Sequence, residues 1–112
     1  MNTRQRKKQL KKNGDYISLE ELWNFDKTIA KFLVPRLKQF RKNTVAFPCN
    51  VDSLEGWLII LDKMIIALEY IIHEDDWWKG TKIPSKADRD KRQEVIDEGL
   101  DLFAKYFQSL WW

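Results

Sequence analysis

The chain has 112 residues, of which 44% are hydrophobic and six are tryptophan, and its formal net charge is +3. This is enough apolar material for one domain with a single core, and it excludes a disordered chain. The only cysteine, Cys49, excludes an intramolecular disulfide. No apolar stretch is long and uncharged enough to predict a membrane span, so we expect no membrane partner.

Charge is distributed unevenly along the chain. Residues 1–17 carry +5, residues 44–76 carry −6 and residues 77–92 carry +4. One interpretation is that complementary charges pair between packed elements while a basic tail stays in solvent. The other is that a basic surface meets an anionic partner.

Residues 1–17 are predicted to form a solvated basic arm, helical in part. Between Met1 and Asp15 they contain one apolar side chain, Leu10, so no stripe can face a core. The arm offers cations for contact with nucleic-acid phosphates, and the candidates are Arg4, Arg6, Lys7, Lys8, Lys11 and Lys12. Basic tails also act as solubilising segments, so both interpretations stay open.

A first long helix is predicted from Ser18 to about Asn43. Ser18 and Glu21 have the spacing of a capping box, and an apolar face recurs with helical period while lysines lie opposite. The predicted apolar face comprises Leu22, Phe25, Ile29, Phe32, Leu33, Leu37 and Phe40. Pro35 lacks a backbone donor, so we expect the helix to bend there and continue.

Two charged residues interrupt this apolar face. Asp26 and Arg36 lie about 40° on either side of Leu22 on a helical wheel, and roughly 15 Å of helix separates them, so they do not pair with each other. One interpretation is that each pairs with another helix or reaches solvent at the end of a bundle. The alternative is a polar pocket in which Arg36 anchors an anion.

A loop over residues 44–51 precedes a second helix, predicted from Asp52 or Ser53 to about Glu74. This helix is the most apolar segment and should be the central element. Ile59, Ile66 and Tyr70 lie on the side of it that also carries charged residues. We expect these three side chains either to be covered by the arm or the next loop, or to form an oligomer interface.

Residues 75–84 have the composition of a loop, and a third helix is predicted from about Lys86 to Leu110. Gly99 lies on the apolar face of this helix, where a missing side chain lets a neighbouring helix approach. Three helices joined by loops of roughly ten residues predict an all-α fold. We expect one domain over residues 18–112, a three-helix up-down-up bundle.

Aromatic residues in the second loop are candidate ligand contacts. Trp77 and Trp78 either pack against the end of the bundle or stack on a base or nucleotide beside Lys82. Together with Asp26 and Arg36, these residues form the predicted ligand site.

No catalytic motif is present, and we expect no enzyme, no cofactor and no metal site. The sequence has no glycine-rich phosphate loop and no zinc-ligand spacing. The run His73–Asp76 contains the only histidine of the chain, which makes a metal cluster a weak interpretation. Cys49 has no general base close to it in sequence.

Two stretches carry a resemblance, TIAKFLVPRLKQF at residues 28–40 and EGLDLFAKYFQSLW at residues 98–111. With Trp23, Asp26, Trp57 and residues 60–64, they resemble a group of small helical proteins encoded by bacteriophages and prophages. The match covers most of residues 19–111 and leaves out the basic arm. The resemblance implies phage origin and action in the host cytoplasm of an infected bacterium.

Small phage accessory proteins often act by binding, so the resemblance implies a non-catalytic host-takeover or anti-defence protein. We expect its partner to be a host protein or an anionic small molecule such as a nucleotide. Two alternatives stay open: a nucleic-acid-binding protein that uses the basic arm, and a structural or assembly component that forms a homo-oligomer. This is an analogy between kinds of protein, and it assigns no role to a particular residue.

Overall fold

In a computed structural model the chain is all-α, as predicted. The structure describes residues 2–12, 14, 17–78 and 84–111. The helices are α1 (Thr3–Lys12), α2 (Leu19–Leu22), α3 (Phe25–Asn43), α4 (Leu54–Ile72), α5 (Glu74–Trp78) and α6 (Lys86–Tyr106), followed by a 3₁₀ turn over Phe107–Ser109.

Serine side chains set the starts of three helices. Ser18 Oγ accepts a hydrogen bond from the Glu21 amide, and the Glu21 carboxylate accepts one from the Ser18 amide, which confirms the capping box. Ser53 and Ser85 cap α4 and α6 through the same kind of side-chain bond. Each bond satisfies an amide that has no partner inside its helix.

The core lies around α4, as its composition predicted. Trp57, Leu61 and Met64 of this helix are completely buried. α3 and α6 both pack against α4, while among the described helices the backbones of α3 and α6 do not come together. The core therefore depends on two helix–helix interfaces that share one central helix.

Tyr106 connects the end of α6 to the loop before α4. Its ring meets Trp57 edge-on, with ring centroids 5.4 Å apart. Its hydroxyl oxygen accepts a hydrogen bond from the Asn50 side chain at 3.5 Å. An aromatic ring with a polar tip can thus seal the core and still reach the loop outside it.

The interface between α4 and α6 depends on Gly99. A Cβ atom placed on Gly99 would overlap the Cβ atom of Ala67 and lie 2.6 Å from the carbonyl oxygen of Lys63. Any side chain would force the two helices apart, so the predicted role of Gly99 in close helix approach is confirmed.

The prediction of one continuous helix from Ser18 to Asn43 is wrong at its beginning. α2 ends at Leu22, and Asn24 adopts the left-handed conformation with φ 57° and ψ 49° before α3 begins. Asparagine is one of the few residues that adopt this conformation at modest cost. The prediction that the helix continues through Pro35 to Asn43 is confirmed.

The predicted loop at residues 75–84 is wrong in its first part, where α5 adds a further helical turn. Residues 79–83 lie outside the described part of the chain. α6 begins at Lys86 as predicted, and its α-helical part ends at Tyr106 rather than at Leu110 because the chain tightens into the 3₁₀ turn.

The molecule is thin and extended. Its principal dimensions are 57 × 42 × 20 Å and its radius of gyration is 18.1 Å, whereas a compact domain of this length has a radius of about 13 Å. α1 contributes to this extension, because it packs against none of the other described helices. The three long helices share one core and leave considerable apolar surface uncovered.

Candidate functional site

A cleft with a volume of about 950 Å³ opens between the end of α4, α5 and the first half of α6. This volume lies near the upper end of the range typical of small-molecule sites. Eight of the described side chains that line it are aromatic or carry a titratable group: Glu69, Tyr70, His73, Asp76, Trp77, Asp88, Lys91 and Arg92.

Arg92 joins the walls of this cleft. Its Nη2 atom donates a hydrogen bond to the carbonyl oxygen of Tyr70 at 2.6 Å, and its guanidinium carbon lies 5.0 Å from the centroid of the Trp77 ring. One side chain of α6 therefore contacts both α4 and α5. A guanidinium has five N–H donors, so Arg92 keeps donors beyond the one used at Tyr70.

The charges in the cleft are mixed. Glu69 pairs with Lys38 of α3 at 2.7 Å, and Asp76 lies 3.4 Å from His73 Nδ1. Asp88 and Lys91 also line the cleft and form no ion pair with any described residue. The described lining thus carries three carboxylates, one ammonium group and one guanidinium, and the carboxylate of Asp88 and the ammonium group of Lys91 are in no ion pair with a described residue.

Of the predicted ligand-binding residues, the structure places only Trp77 among those described at this cleft. Lys82 and the side chain of Trp78 lie outside the described part of the chain. Asp26 and Arg36 are exposed residues of α3, and α3 contributes no residue to the described lining. The structure therefore does not bring the predicted set together.

The side chain of Arg36 folds back onto its own helix. Its Nη1 atom donates to the carbonyl oxygen of Phe32 at 2.9 Å, and its guanidinium carbon lies 3.7 Å from the centroid of the Phe32 ring. Pro35 removes one backbone donor and crowds this turn. Arg36 thus supplies a side-chain donor next to the turn that the proline weakens.

α3 buries only part of the predicted face: Leu37 is buried, and Leu33 and Phe40 pack against the core. Its buried side chains are Ala30, Val34 and Leu37, whereas Phe25, Ile29 and Phe32 are about half exposed. The two stripes are offset by five residues, which is about 140° around a helix. The prediction put Phe25, Ile29 and Phe32 in the core, but Ala30 and Val34 are buried in their place.

The predicted oligomer stripe lies on the outer side of α4. Ile59 is 55% exposed, and Ile66 and Tyr70 are each 42% exposed. The described part of the arm does not cover these side chains, because α1 packs against no other described helix. A role for this stripe in self-association stays a prediction.

The candidate nucleic-acid residues lie on α1. The side chains of Arg4, Arg6, Lys7, Lys8 and Lys12 are exposed, and the side chain of Lys11 is outside the described part of the chain. Their exposure is what phosphate contact requires, and it is equally what a solubilising segment requires.

Across the described ranges, no three His, Cys, Asp or Glu side chains lie close enough together to hold a metal ion. Cys49 is exposed. A search of the described helices finds none with an apolar stretch long enough to cross a membrane.

Comparison of the chain with models of known protein families, with curated proteins and with solved structures gives no match.

Proposed function

We propose that the protein is a non-catalytic binding protein that holds a nucleotide-like ligand, with a planar ring and an anionic group, in the cleft between α4, α5 and α6. The observation that carries this proposal is the meeting of Trp77 and Arg92 in a cleft of about 950 Å³. Sites of this size commonly combine aromatic walls with a few placed polar groups.

The residues of the cleft suit the two halves of such a ligand. A base that stacks on an aromatic ring gains about 1–3 kcal/mol, and Trp77 supplies the ring. The remaining donors of Arg92 and the ammonium group of Lys91 would meet phosphate oxygens. The carboxylate of Asp88 would accept hydrogen bonds from an amino group of the base.

The proposal includes an up-down-up order of α3, α4 and α6, which is supported by the central place of α4 in the core. It also includes a setting in the cytoplasm of an infected bacterium, where the protein would serve in host takeover or anti-defence. The support for that setting is the resemblance of residues 28–40 and 98–111 to phage proteins.

Calorimetric titration with nucleoside mono-, di- and triphosphates, and with inorganic phosphate, tests the ligand. Trp77→Leu and Arg92→Gln should each weaken binding at least tenfold. The matched controls are Trp111→Leu, which changes an exposed tryptophan outside the described lining, and Arg89→Gln, which changes an exposed arginine of the same helix. No heat with any of these compounds, or equal losses in the controls, would contradict the proposal.

A second candidate function, nucleic-acid binding through α1, is favoured by one observation. α1 is a basic helix whose described side chains are all exposed and which packs against no other described helix. Binding through it should weaken steeply with salt, with a slope set by the number of phosphates contacted. Replacing its six cations with glutamine keeps the chain length and should abolish binding to DNA and RNA; unchanged binding would exclude this function.

A further inference from the structure

An uncovered apolar surface lies on α2 and the first half of α3. Six large apolar side chains form it, and we call them the α2–α3 surface: Leu19, Leu22, Trp23, Phe25, Ile29 and Phe32. Their exposed fractions range from 42% at Ile29 to 83% at Leu19. None of the six is among the described residues that line the ligand cleft, so an interface on this surface would be independent of the proposed function.

The area of this surface fits a protein interface. Fully burying an aromatic side chain removes about 150–250 Å², so three aromatic and three aliphatic side chains with exposed fractions of 42–83% present on the order of 600 Å². Monomeric proteins rarely leave a larger apolar patch uncovered. A standard interface buries about 800 Å² on each partner, which this surface supplies together with the polar residues around it.

The total accessible surface of the chain also indicates that apolar surface is left uncovered. It is 8926 Å², whereas a compact monomer of this mass exposes about 6,500 Å². Two features are consistent with this excess: α1 packs against none of the other described helices, and the shortest dimension of the molecule is 20 Å.

The part of this surface on α3 has the spacing of a helix-pairing seam. Phe25, Ile29, Phe32 and Arg36 follow one another at intervals of four, three and four residues, as in a coiled coil. This stripe is offset by about 140° from the buried stripe that faces α4. α3 can therefore pack against α4 and against another helix at the same time.

The charges of Asp26 and Arg36 indicate that the helix that packs against this stripe is α3 of a second copy. Arg36 lies at one end of this stripe and Asp26 flanks its other end. Neither forms an ion pair with any described residue, although Arg36 donates a hydrogen bond to the carbonyl oxygen of Phe32 in its own helix. In an antiparallel pair of α3 helices centred near residue 31, Asp26 of each copy comes level with Arg36 of the other. A parallel pair would instead place like charges side by side, which is unfavourable.

We propose that two copies of this chain pair through antiparallel α3 helices, with a two-fold axis between Ile29 and Phe32. Ile29 of each copy packs against Phe32 of the other. Arg36 of each copy stacks on Phe25 and forms an ion pair with Asp26 of the other copy. The interface is isologous, so each contact occurs twice. The two charges that interrupt the apolar face of α3 are then paired between chains.

Sedimentation velocity at micromolar concentrations tests the pairing. The wild-type protein should sediment at twice the chain mass of 13.5 kDa, and Ile29→Asp should convert it to a monomer. Ile66→Asp is a closely matched control, because Ile29 and Ile66 are both 42% exposed isoleucines in helices. Circular dichroism should show unchanged helix content in both variants.

A charge exchange tests the register. Asp26→Arg and Arg36→Asp should each raise the dissociation constant of the dimer about tenfold or more, because each places like charges opposite one another twice. The double variant that exchanges both residues should return the dissociation constant to near the wild-type value. Failure of this rescue would overturn the antiparallel register.

Three other results would overturn the proposal as a whole. One is a wild-type protein that stays monomeric over the whole concentration range. Another is a dimer that Ile66→Asp breaks and Ile29→Asp does not, which would assign the interface to the outer side of α4. The third is a monomer whose α2–α3 surface binds a host protein, with binding lost in Ile29→Asp.

Discussion

Gly99→Ala measures how closely α4 and α6 pack. The new Cβ atom would overlap that of Ala67 and lie 2.6 Å from the Lys63 carbonyl oxygen, whereas carbon–oxygen contacts are ordinarily about 3.3–3.6 Å. Overpacking of a core contact costs about 1–3 kcal/mol. Alanine gains about 1 kcal/mol over glycine inside a helix, so it offsets part of this cost.

The Lys63 carbonyl oxygen belongs to the backbone of α4, and the Ala67 Cβ atom is bonded directly to it, so neither atom can rotate away. We therefore expect an overpacking cost near the upper end of that range. The net loss should be about 1–2 kcal/mol, which lowers Tm by roughly 5–15 °C for a domain of about this size. Thermal unfolding followed by circular dichroism at one protein concentration measures it, because association would make Tm depend on concentration.

Gly56→Ala is the matched control for Gly99→Ala. A Cβ atom on Gly56 would lie 3.4 Å from Ser53 Oγ and 3.5 Å from Val51 Cγ1, close to or within ordinary contact distance. This variant should therefore be unchanged or more stable by up to about 1 kcal/mol. A Gly99→Ala variant as stable as the wild type would show that α4 and α6 do not approach this closely.

Three further substitutions test local features by chemical denaturation. Ser85→Ala removes the cap of α6 and should cost about 1 kcal/mol; no loss would mean that the cap is not formed. Pro35→Ala restores a backbone donor inside α3 and should add about 1–3 kcal/mol; a less stable variant would show that the proline fits the helix without strain. Arg41 and Asp62 contact each other through Nε–Oδ1 at 2.6 Å, without an aligned hydrogen bond, and through an aligned Nη2–Oδ2 bond at 3.1 Å. A double-mutant cycle on this partly exposed pair should give a coupling energy of about 0.5–1 kcal/mol that falls with salt, and a coupling of zero would remove the pair as a link between α3 and α4.

Much of the local structure could be predicted from the sequence because the deciding interactions are short-range. The serine caps join residues three apart, and the apolar periodicity of α4 identifies the helix that lies at the centre. The close helix contact at Gly99 was predictable for the same reason, since its position on an apolar face needs only the helical period. Trp77 is distinguished in the sequence because it stands with Trp78 between Asp76 and Lys79.

The candidate cleft was only partly predictable. Arg92 is one of six cations in residues 77–92, and nothing in that run distinguishes it. Arg92 differs from the other five because the packing of α6 on α4 places its guanidinium within hydrogen-bond distance of the carbonyl oxygen of Tyr70, which lies 22 residues earlier. A contact of this kind is set by helix packing, so the order of residues does not reveal it.

By itself, the sequence determined the helical class, the starts of α2, α4 and α6 and the burial of α4, because each depends on neighbours along the chain or on one periodic face. Only the tertiary structure decided which of the two apolar stripes of α3 packs inside the chain. Ala30, Val34 and Leu37 are buried, whereas Phe25, Ile29 and Phe32 are left about half exposed. Close packing between helices depends on complementary shape as well as on hydrophobicity. Complementarity involves the surfaces of both helices, so the sequence of one helix does not reveal it.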